Sequence, residues 1–399
     1  MKLKHLCITV VMLNCIAFQG YAQNPVIQNI LSDVEIDSMT HFVSQLTGEE
    51  QVMINGVSET ILSRHKDQPG NEMAYQFVKQ KFVTYGLSVD SLQFSASGKN
   101  LFGIKTGTLF PGKKFILGAH YDNMPAGTVA PGADDNASGS AAVIEAARIF
   151  SNYDFPFTVV FALWDEEEQG LVGSNAYASM AALNNDTILG YINMDMLGWD
   201  GNNDSVADLH VRPVANSIQL ADKAIEADSV YTIGLGLHIV NPGTGATDHA
   251  AFWNNGFTAI GIDEEYGNDF NPFWHTPADS LGQFNLPFYE KCAKLAYATL
   301  AECALDSSTV VTVNEQHFEK EAFRIYPNPA DQVLTVEKTN FGQNEYNIKI
   351  YNENGQLLNS LSTKETIRIN VSGYPAGAYT LHIISQNEQF SNIKKWIKL

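Results

Sequence analysis

Two adjacent carboxylates, Asp134 and Asp135, stand in the run Pro131-Gly-Ala-Asp-Asp-Asn-Ala-Ser-Gly139. Two such charges side by side destabilise each other unless a cation or hydrogen-bond donors neutralise them. A divalent metal is one neutraliser. The positive end of a helix, capped by Asp or Asn, is another. This run by itself leaves both readings open. Further groups with metal-binding chemistry recur along the chain: His120, the pair Glu167 and Glu168, Asp195 and His275. Each alone reads more readily as a satisfied polar residue at a strand end, a helix cap or part of a solvated loop. Together they offer imidazoles and carboxylates without a thiolate, a set that suits Zn²⁺, with Mn²⁺ or Co²⁺ as substitutes. One carboxylate can bridge two ions about 3.5–4 Å apart, the arrangement of two-metal hydrolytic sites. In His120-Tyr-Asp122 the outer side chains share one face of an extended segment, so Asp122 can orient His120. Of two neighbouring acids such as Glu167 and Glu168, one can ligate while the other serves as a base.

The elements that must position these groups follow from periodicity. Short apolar runs at Lys113–Ala119, Phe157–Trp164, Ile188–Asn193 and Phe257–Ile262 read as buried strands. They deliver His120 and Asp122, the acids 165–168, Asp195 and, after an aromatic-rich stretch, His275. Val89–Phe94 alternates like an edge strand, and Asn100–Gly107 reads as another. Helical spacing is present in Ile36–Leu46, Val57–His65, Glu72–Tyr85, Gly139–Phe150, Ala215–Asp228 and Leu286–Cys303. Asn71 after Pro69-Gly70 is placed to cap the third of these, and Gly86 to end it. Strands alternating with helices predict an α/β fold, a mixed, largely parallel sheet with helices on both faces. Ligand sites in such folds lie at the carboxyl ends of the strands.

Charge and processing signals bound the class. The 399 residues carry a formal charge of −20. Residues 324–399 hold 8 basic and 6 acidic side chains, against 16 and 38 in residues 1–323. That acidity argues against nucleic-acid binding, which needs basic patches, and suits a protein that attracts cations. Residues 1–22 read as a signal peptide: Lys2 and Lys4, an apolar stretch from Leu6 to Phe18, and the cleavage site Gly20-Tyr-Ala22. The lipoprotein alternative at Cys15 follows a poor lipobox, Leu13-Asn14. Of the remaining cysteines, Cys292 and Cys303 fall in one helix, about 16 Å apart along its axis, and cannot pair. The predicted organisation is 23–305 as the main domain (with 23–60 accessory or propeptide-like), a linker over 306–323, and 324–399 as a small β-sandwich. In the sandwich, strands at Val333–Val336, Tyr346–Tyr351, Ile367–Val371, Ala378–Ile384 and Ile393–Ile397 are separated by Asn354-Gly355, Pro375-Ala-Gly377 and Gln386-Asn387.

Five segments occur in order: His-Tyr-Asp at 120–122, Pro-Gly-Ala-Asp-Asp-Asn-Ala-Ser-Gly at 131–139, Glu-Glu-Gln-Gly-Leu-Val-Gly-Ser at 167–174, Asn-Met-Asp-Met at 193–196 and His-Thr-Pro-Ala-Asp at 275–279. Over residues 60–305 the chain thereby resembles the secreted bacterial zinc aminopeptidases of the leucyl-aminopeptidase type, which use two co-catalytic zinc ions. The resemblance implies a zinc exopeptidase-like fold and five ligands: His120, Asp135, Glu168, Asp195 and His275. It implies that Asp135 bridges the ions ahead of a cis peptide to Asn136, that Glu167 is the general base, that Asp122 orients His120, and that Asp279 supports the region of His275. Aligning on Gly170-Leu-x-Gly-Ser174 fixes Glu167 and Glu168; Glu166 is the competing register. The implied substrates are peptides with a free N-terminus, their first side chain entering an apolar pocket for which Met196, Phe270 and Trp274 are candidates. Ordinary core packing accounts for those three equally well.

The tail has its own likeness. Tyr326-Pro-Asn-Pro329, Ile348–Gly355, Pro375-Ala-Gly-x-Tyr379 and the Lys-rich end 394–398 resemble a type IX secretion sorting domain. It implies export through the periplasm to the cell surface or medium, with the outer-membrane secretion machinery as partner; an adhesive sandwich is the alternative. For the main domain the alternatives are a single-zinc glutaminyl cyclase-like enzyme on the same fold, a glutamate-releasing carboxypeptidase, for which no inserted domain is evident, and a non-catalytic surface-binding protein.

Overall fold

The computed structural model describes residues 23–306, 323–338, 345–352, 357–385 and 391–399. The signal peptide expected over 1–22, most of the expected linker, and the turns at 354–355 and 386–387 lie outside the described residues. The chain forms two units, 1–305 and 306–399.

The first unit runs α1 (Pro25–Ser32), α2 (Ile36–Leu46), β1 (Val52–Ile54), β2 (Val57–Glu59), α3 (Pro69–Thr84), β3 (Ser88–Gln93), β4 (Lys99–Lys105), β5 (Phe110–His120), α4 (Gly139–Phe150), β6 (Phe157–Trp164), α5 (Val172–Asn184), β7 (Thr187–Asp195), β8 (Val206–His210), α6 (Ser217–Tyr231), β9 (Gly236–Val240), α7 (His249–Asn254), β10 (Ala259–Glu264) and α8 (Leu286–Leu305). Strands β3 to β10 form a mixed sheet in the order β3-β4-β6-β5-β7-β10-β8-β9. Its centre, β6-β5-β7-β10, is parallel throughout. Antiparallel pairs flank it, and β3 lies at one edge as expected.

Side chains on the central strands alternate between two apolar layers, the period-2 signature of a sheet covered on both faces. Val159, Phe161 and Leu163 of β6 join one cluster with residues of α1 to α4 and α8. Val160, Ala162 and Trp164 join the other, with Tyr177 of α5 and Phe252 of α7. Ile116 of β5 and Tyr191 of β7 also belong to this second layer. By the same alternation His120 and Asp195 project toward it.

Two expectations need correction. Val57–His65 is not a helix. Asn55 and Gly56 have φ of 51° and 84°, the two left-handed residues of a tight hairpin turn, and the turn joins β1 to β2. Asn71 does not cap α3: the helix starts at Pro69, whose missing N–H costs nothing in the first turn. As expected, His275 follows the fourth central strand, which ends at Glu264, only after an irregular loop. The segment 23–60 contributes Ile27, Ile30, Met39, Phe42, Val43 and Leu46 to the main core. Buried Glu145 of α4 accepts from Glu35 N and Ser38 Oγ.

In the second unit, β11 (Phe323–Tyr326), β12 (Val333–Lys338) and β15 (Ile367–Asn370) form one sheet, and β13 (Tyr346–Tyr351), β14 (Leu357–Thr363), β16 (Gly377–Ser385) and β17 (Ser391–Lys398) another. Leu334, Val336, Ile348, Ile350, Leu381 and Trp396 are buried in a common core, as in a small β-sandwich.

Candidate metal centre

The site is assembled at the carboxyl ends of the four parallel strands. His120 ends β5 and Asp195 ends β7, while Glu167 and Glu168 lie in the turn after β6 and His275 in the loop after β10. Asp135 comes from an irregular turn, Ala133–Ser138, that leads into α4. The Asp135–Asn136 peptide is cis. Asn136, rather than either acid, serves the helix start: its Oδ1 accepts from Gly139 N and its Nδ2 donates to Met194 O. A side chain at Gly139 would lie 2.4 Å from Met194 O, so α4 can begin this close under β7 only with glycine there.

The metal-competent atoms crowd around His120 and Asp135. His120 Nε2 is 3.3 Å from Asp135 Oδ1 and 3.2 Å from Asp195 Oδ1. His275 Nε2 is 3.1 Å from Asp135 Oδ2 and 2.8 Å from Glu168 Oε2. Glu167 Oε2 stands further off, 3.9 Å from His120 Nε2. The clusters His120–Asp135–Glu168 and His120–Glu167–Asp195 each bring ligand atoms within 4.8 Å of one another. His120 Nδ1 lies 3.1 Å from the main-chain oxygen of Asp122 and 3.5 Å from its carboxylate. With a proton held there, Nε2 faces carboxylate oxygens. A cation must lie between them, either a second ring proton, which burial opposes but Asp195 and Glu167 favour, or a metal ion that replaces it. Glu168 Oε1 is buried without a hydrogen-bond partner, a further unfilled acceptor. The donor set therefore fits divalent metal ions.

Supporting contacts fix the loops against one another. Asp122 accepts from the main-chain N of both Glu167 and Glu168. Asp279 accepts from the main-chain N of Asp134 and Asp135, so it joins the turn after His275 to the Asp135 turn. Asp134 is no ligand: it accepts from Gly198 N and Asn271 Nδ2. Glu166 turns away and accepts from the hydroxyls of Ser95 and Ser97. Glu166, Leu171, Met196 and His275 all have positive φ, an uncommon state for residues with side chains, and they cluster here as strain does at functional sites.

The electrostatics are those of crowded acids out of water. Burial, then repulsion from Asp135, raises Glu168 to about 8. Burial also raises Glu167 well above the carboxylate range, with Asp248, Asp195 and Glu168 adding to it and His120 opposing. Asp248 and Asp279 are each raised by burial to about 7. Burial works against charge on His275, but Asp135 and Glu168 together lift it to about 9. Burial would raise Asp135 too, and the hydrogen bonds from His120 and His275 overcome it and hold the group well below its ordinary value. Metal ions would replace the protons that this cluster otherwise retains.

Beside the ligands opens a cavity of about 510 Å³, lined by Leu171, Met196, Thr247, Tyr266, Phe270 and Trp274 among others. The structure thus brings Met196, Phe270 and Trp274 to the site. Trp274 stacks on His275 at 3.7 Å, and Phe270 meets both Trp274 and Tyr266 edge-on at 5.5 Å. Sequence reasoning missed Tyr266, Asn271, Asp248 and Arg64. No spacing signal marks them; each reaches the site only through the fold.

Residues 105–300 match the family described as Peptidase family M28, and residues 324–399 match the Secretion system C-terminal sorting domain. Leupeptin-inactivating enzyme 1 of Streptomyces exfoliatus is 30% identical over 248 residues, 56% of this chain and 53% of that protein. A probable leucine aminopeptidase of Trichophyton verrucosum is 26% identical over 307 residues, 72% and 82% of the two chains. The chain spans about half the length of the first curated relatives it matches. Among solved structures, the Legionella pneumophila LapA aminopeptidase superposes with a TM-score of 0.62 at 22% identity, covering 70% of this chain and 75% of that one.

Proposed function

We propose, from the match of residues 105–300 to peptidase family M28, that the chain is an exported aminopeptidase that removes N-terminal residues from peptides with two zinc ions. One observation carries the reading: the two oxygens of Asp135 face two different imidazoles, His120 at 3.3 Å and His275 at 3.1 Å. His120, Asp195 and Asp135 Oδ1 would hold one ion, and His275, Glu168 and Asp135 Oδ2 the other. When bound, the metals would supply Lewis acidity toward the scissile carbonyl and acidify water.

The chain's own groups would do the rest. Glu167 would be the base: its Oε2 stands further from His120 Nε2 than Asp135 and Asp195 do, and beside bound cations it would favour the carboxylate form that burial alone opposes. It would take a proton from the attacking water and deliver it to the leaving amine. Asp122 holds Glu167 in place through the main-chain N. The pocket between Met196, Phe270 and Trp274 would take the first side chain of the substrate; an apolar residue suits its aromatic walls. The sorting domain at 324–399 supports delivery to the cell surface or medium by outer-membrane secretion machinery. The test is a panel of aminoacyl amides assayed on purified mature protein with and without a chelator. The reading expects chelator-sensitive release of free amino acids. Cyclisation of N-terminal Gln instead would replace it with the cyclase reading, and turnover indifferent to chelator would refute it.

A further inference from the structure

We propose that Arg64 is a positioning residue that holds the ligand-bearing loops in their metal-binding shape before any metal arrives. This rests on the two-metal reading above. Arg64 lies between β2 and α3 and is fully buried. Its Nε donates to Tyr121 O at 2.8 Å, its Nη1 to Leu46 O and Pro131 O at 2.7 Å each, and its Nη2 to Gly132 O at 2.7 Å. All four acceptors are main-chain oxygens. Tyr121 sits between His120 and Asp122, and Pro131-Gly132 leads directly into Asp134-Asp135.

The main chain of Arg64 extends the same brace. Its N donates to Asn123 Oδ1 at 2.9 Å, and Asn123 Nδ2 donates to Ala130 O at 2.6 Å. Its O accepts from Asn71 Nδ2 at 3.0 Å, and that amide also donates to Asp165 Oδ1 at 2.8 Å. Asp165 opens the turn that carries Glu167 and Glu168. One residue therefore ties together the segments 120–123, 130–135 and 165–168. Leu46, the fourth anchor, closes α2, so the negative end of that helix faces the guanidinium.

Two physical consequences follow. The guanidinium places a positive charge among Asp122, Asp135, Glu168 and Asp279, easing their mutual repulsion while metal is absent. Its planar fork supplies several donors in fixed directions, whereas lysine offers a compact point charge that cannot span the same oxygens. A residue that only filled the core would lower stability in metal-free and metal-loaded protein alike. A positioning residue must alter metal binding itself.

The experiment compares wild type and Arg64→Lys, both full-length mature proteins, by zinc affinity in chelator competition and by the visible spectrum of the cobalt-substituted form. We expect zinc affinity to fall by roughly 10- to 100-fold, with a changed cobalt spectrum. Wild-type affinity and spectrum in the variant would overturn the inference. A wild type that binds no zinc would instead refute the two-metal reading, and the Arg64 inference with it. Should the variant not fold, hydrogen exchange on metal-free wild type decides. The main-chain N–H groups of Asp134, Asp135, Glu167 and Glu168 should be protected before zinc is added; free exchange at these positions would overturn the inference.

Discussion

His275 Nε2 lies 3.1 Å from Asp135 Oδ2, although one residue sits in the loop after β10 and the other in the turn before α4. The contact exists because Asp279, just beyond His275, accepts from the main-chain N of both Asp134 and Asp135. His275 Nε2 faces Oδ2 of Asp135 and also Glu168 Oε2, whereas His120 Nε2 faces Oδ1. His275→Ala should therefore lower bound metal to about one ion per chain, while Asp135→Ala should remove both. Elemental analysis after dialysis checks this. Equal loss in the two variants would remove the division of ligands described above.

Glu167 Oε2 stands 3.9 Å from His120 Nε2, further than the oxygens of Asp135 and Asp195, although it also clusters with His120 and Asp195. Glu167→Gln should lower kcat by about 10²- to 10⁴-fold with metal content unchanged. Loss of metal in that variant would make Glu167 a ligand, and full activity would end its role as base.

The metal-free protein should lose stability as pH rises from about 5 to about 9. Glu168 is raised to about 8, and Asp248 and Asp279 to about 7, so the folded state binds more protons than the unfolded chain over that interval. His275, raised to about 9, has the same sign: its contribution is complete below its unfolded value and lost as pH passes its folded one. Where the folded state binds more protons, stability falls with pH. His210, lowered by burial to about 4, acts oppositely, and only at the acid end. Melting temperatures of chelator-treated protein across this range test the sign. Zinc should abolish the trend, since metal replaces the protons; a flat or rising profile without metal would contradict it.

The second unit has its own core. Deleting residues 324–399 should leave zinc content and turnover intact but retain the protein in the periplasm. Cell fractionation and assay of the retained material check both halves.

The chemistry was more legible in the sequence than the scaffold around it. His120, Asp135, Glu168, Asp195 and His275, which the structure brings together, stood out by residue type and by the apolar runs before several of them. Strands β6 and β13 and helix α2 fall at their expected limits for the same reason: their apolar period is clean. Strand β8 was missed because it carries Asp208 and His210, both buried, which no apolar run announces. Helix α5 was missed because its buried residues apart from Tyr177, namely Gly173, Ser174, Ala178 and Ala181, are small and leave a weak apolar period. The hairpin over β1 and β2 is hidden because the apolar residues of 57–65 also fit helical spacing, although Asn55-Gly56 supplies its turn. Arg64 lay inside that misread stretch, and a lone arginine signals nothing until the fold surrounds it with carbonyl oxygens.

The central claim is a two-metal peptidase site, and a zinc titration of the metal-free mature protein tests it most directly. Hydrolysis of an aminoacyl amide, followed against added zinc, should rise and saturate at about two equivalents per chain, with bound metal rising in parallel. Saturation at one equivalent, or activity with no zinc at all, would contradict it.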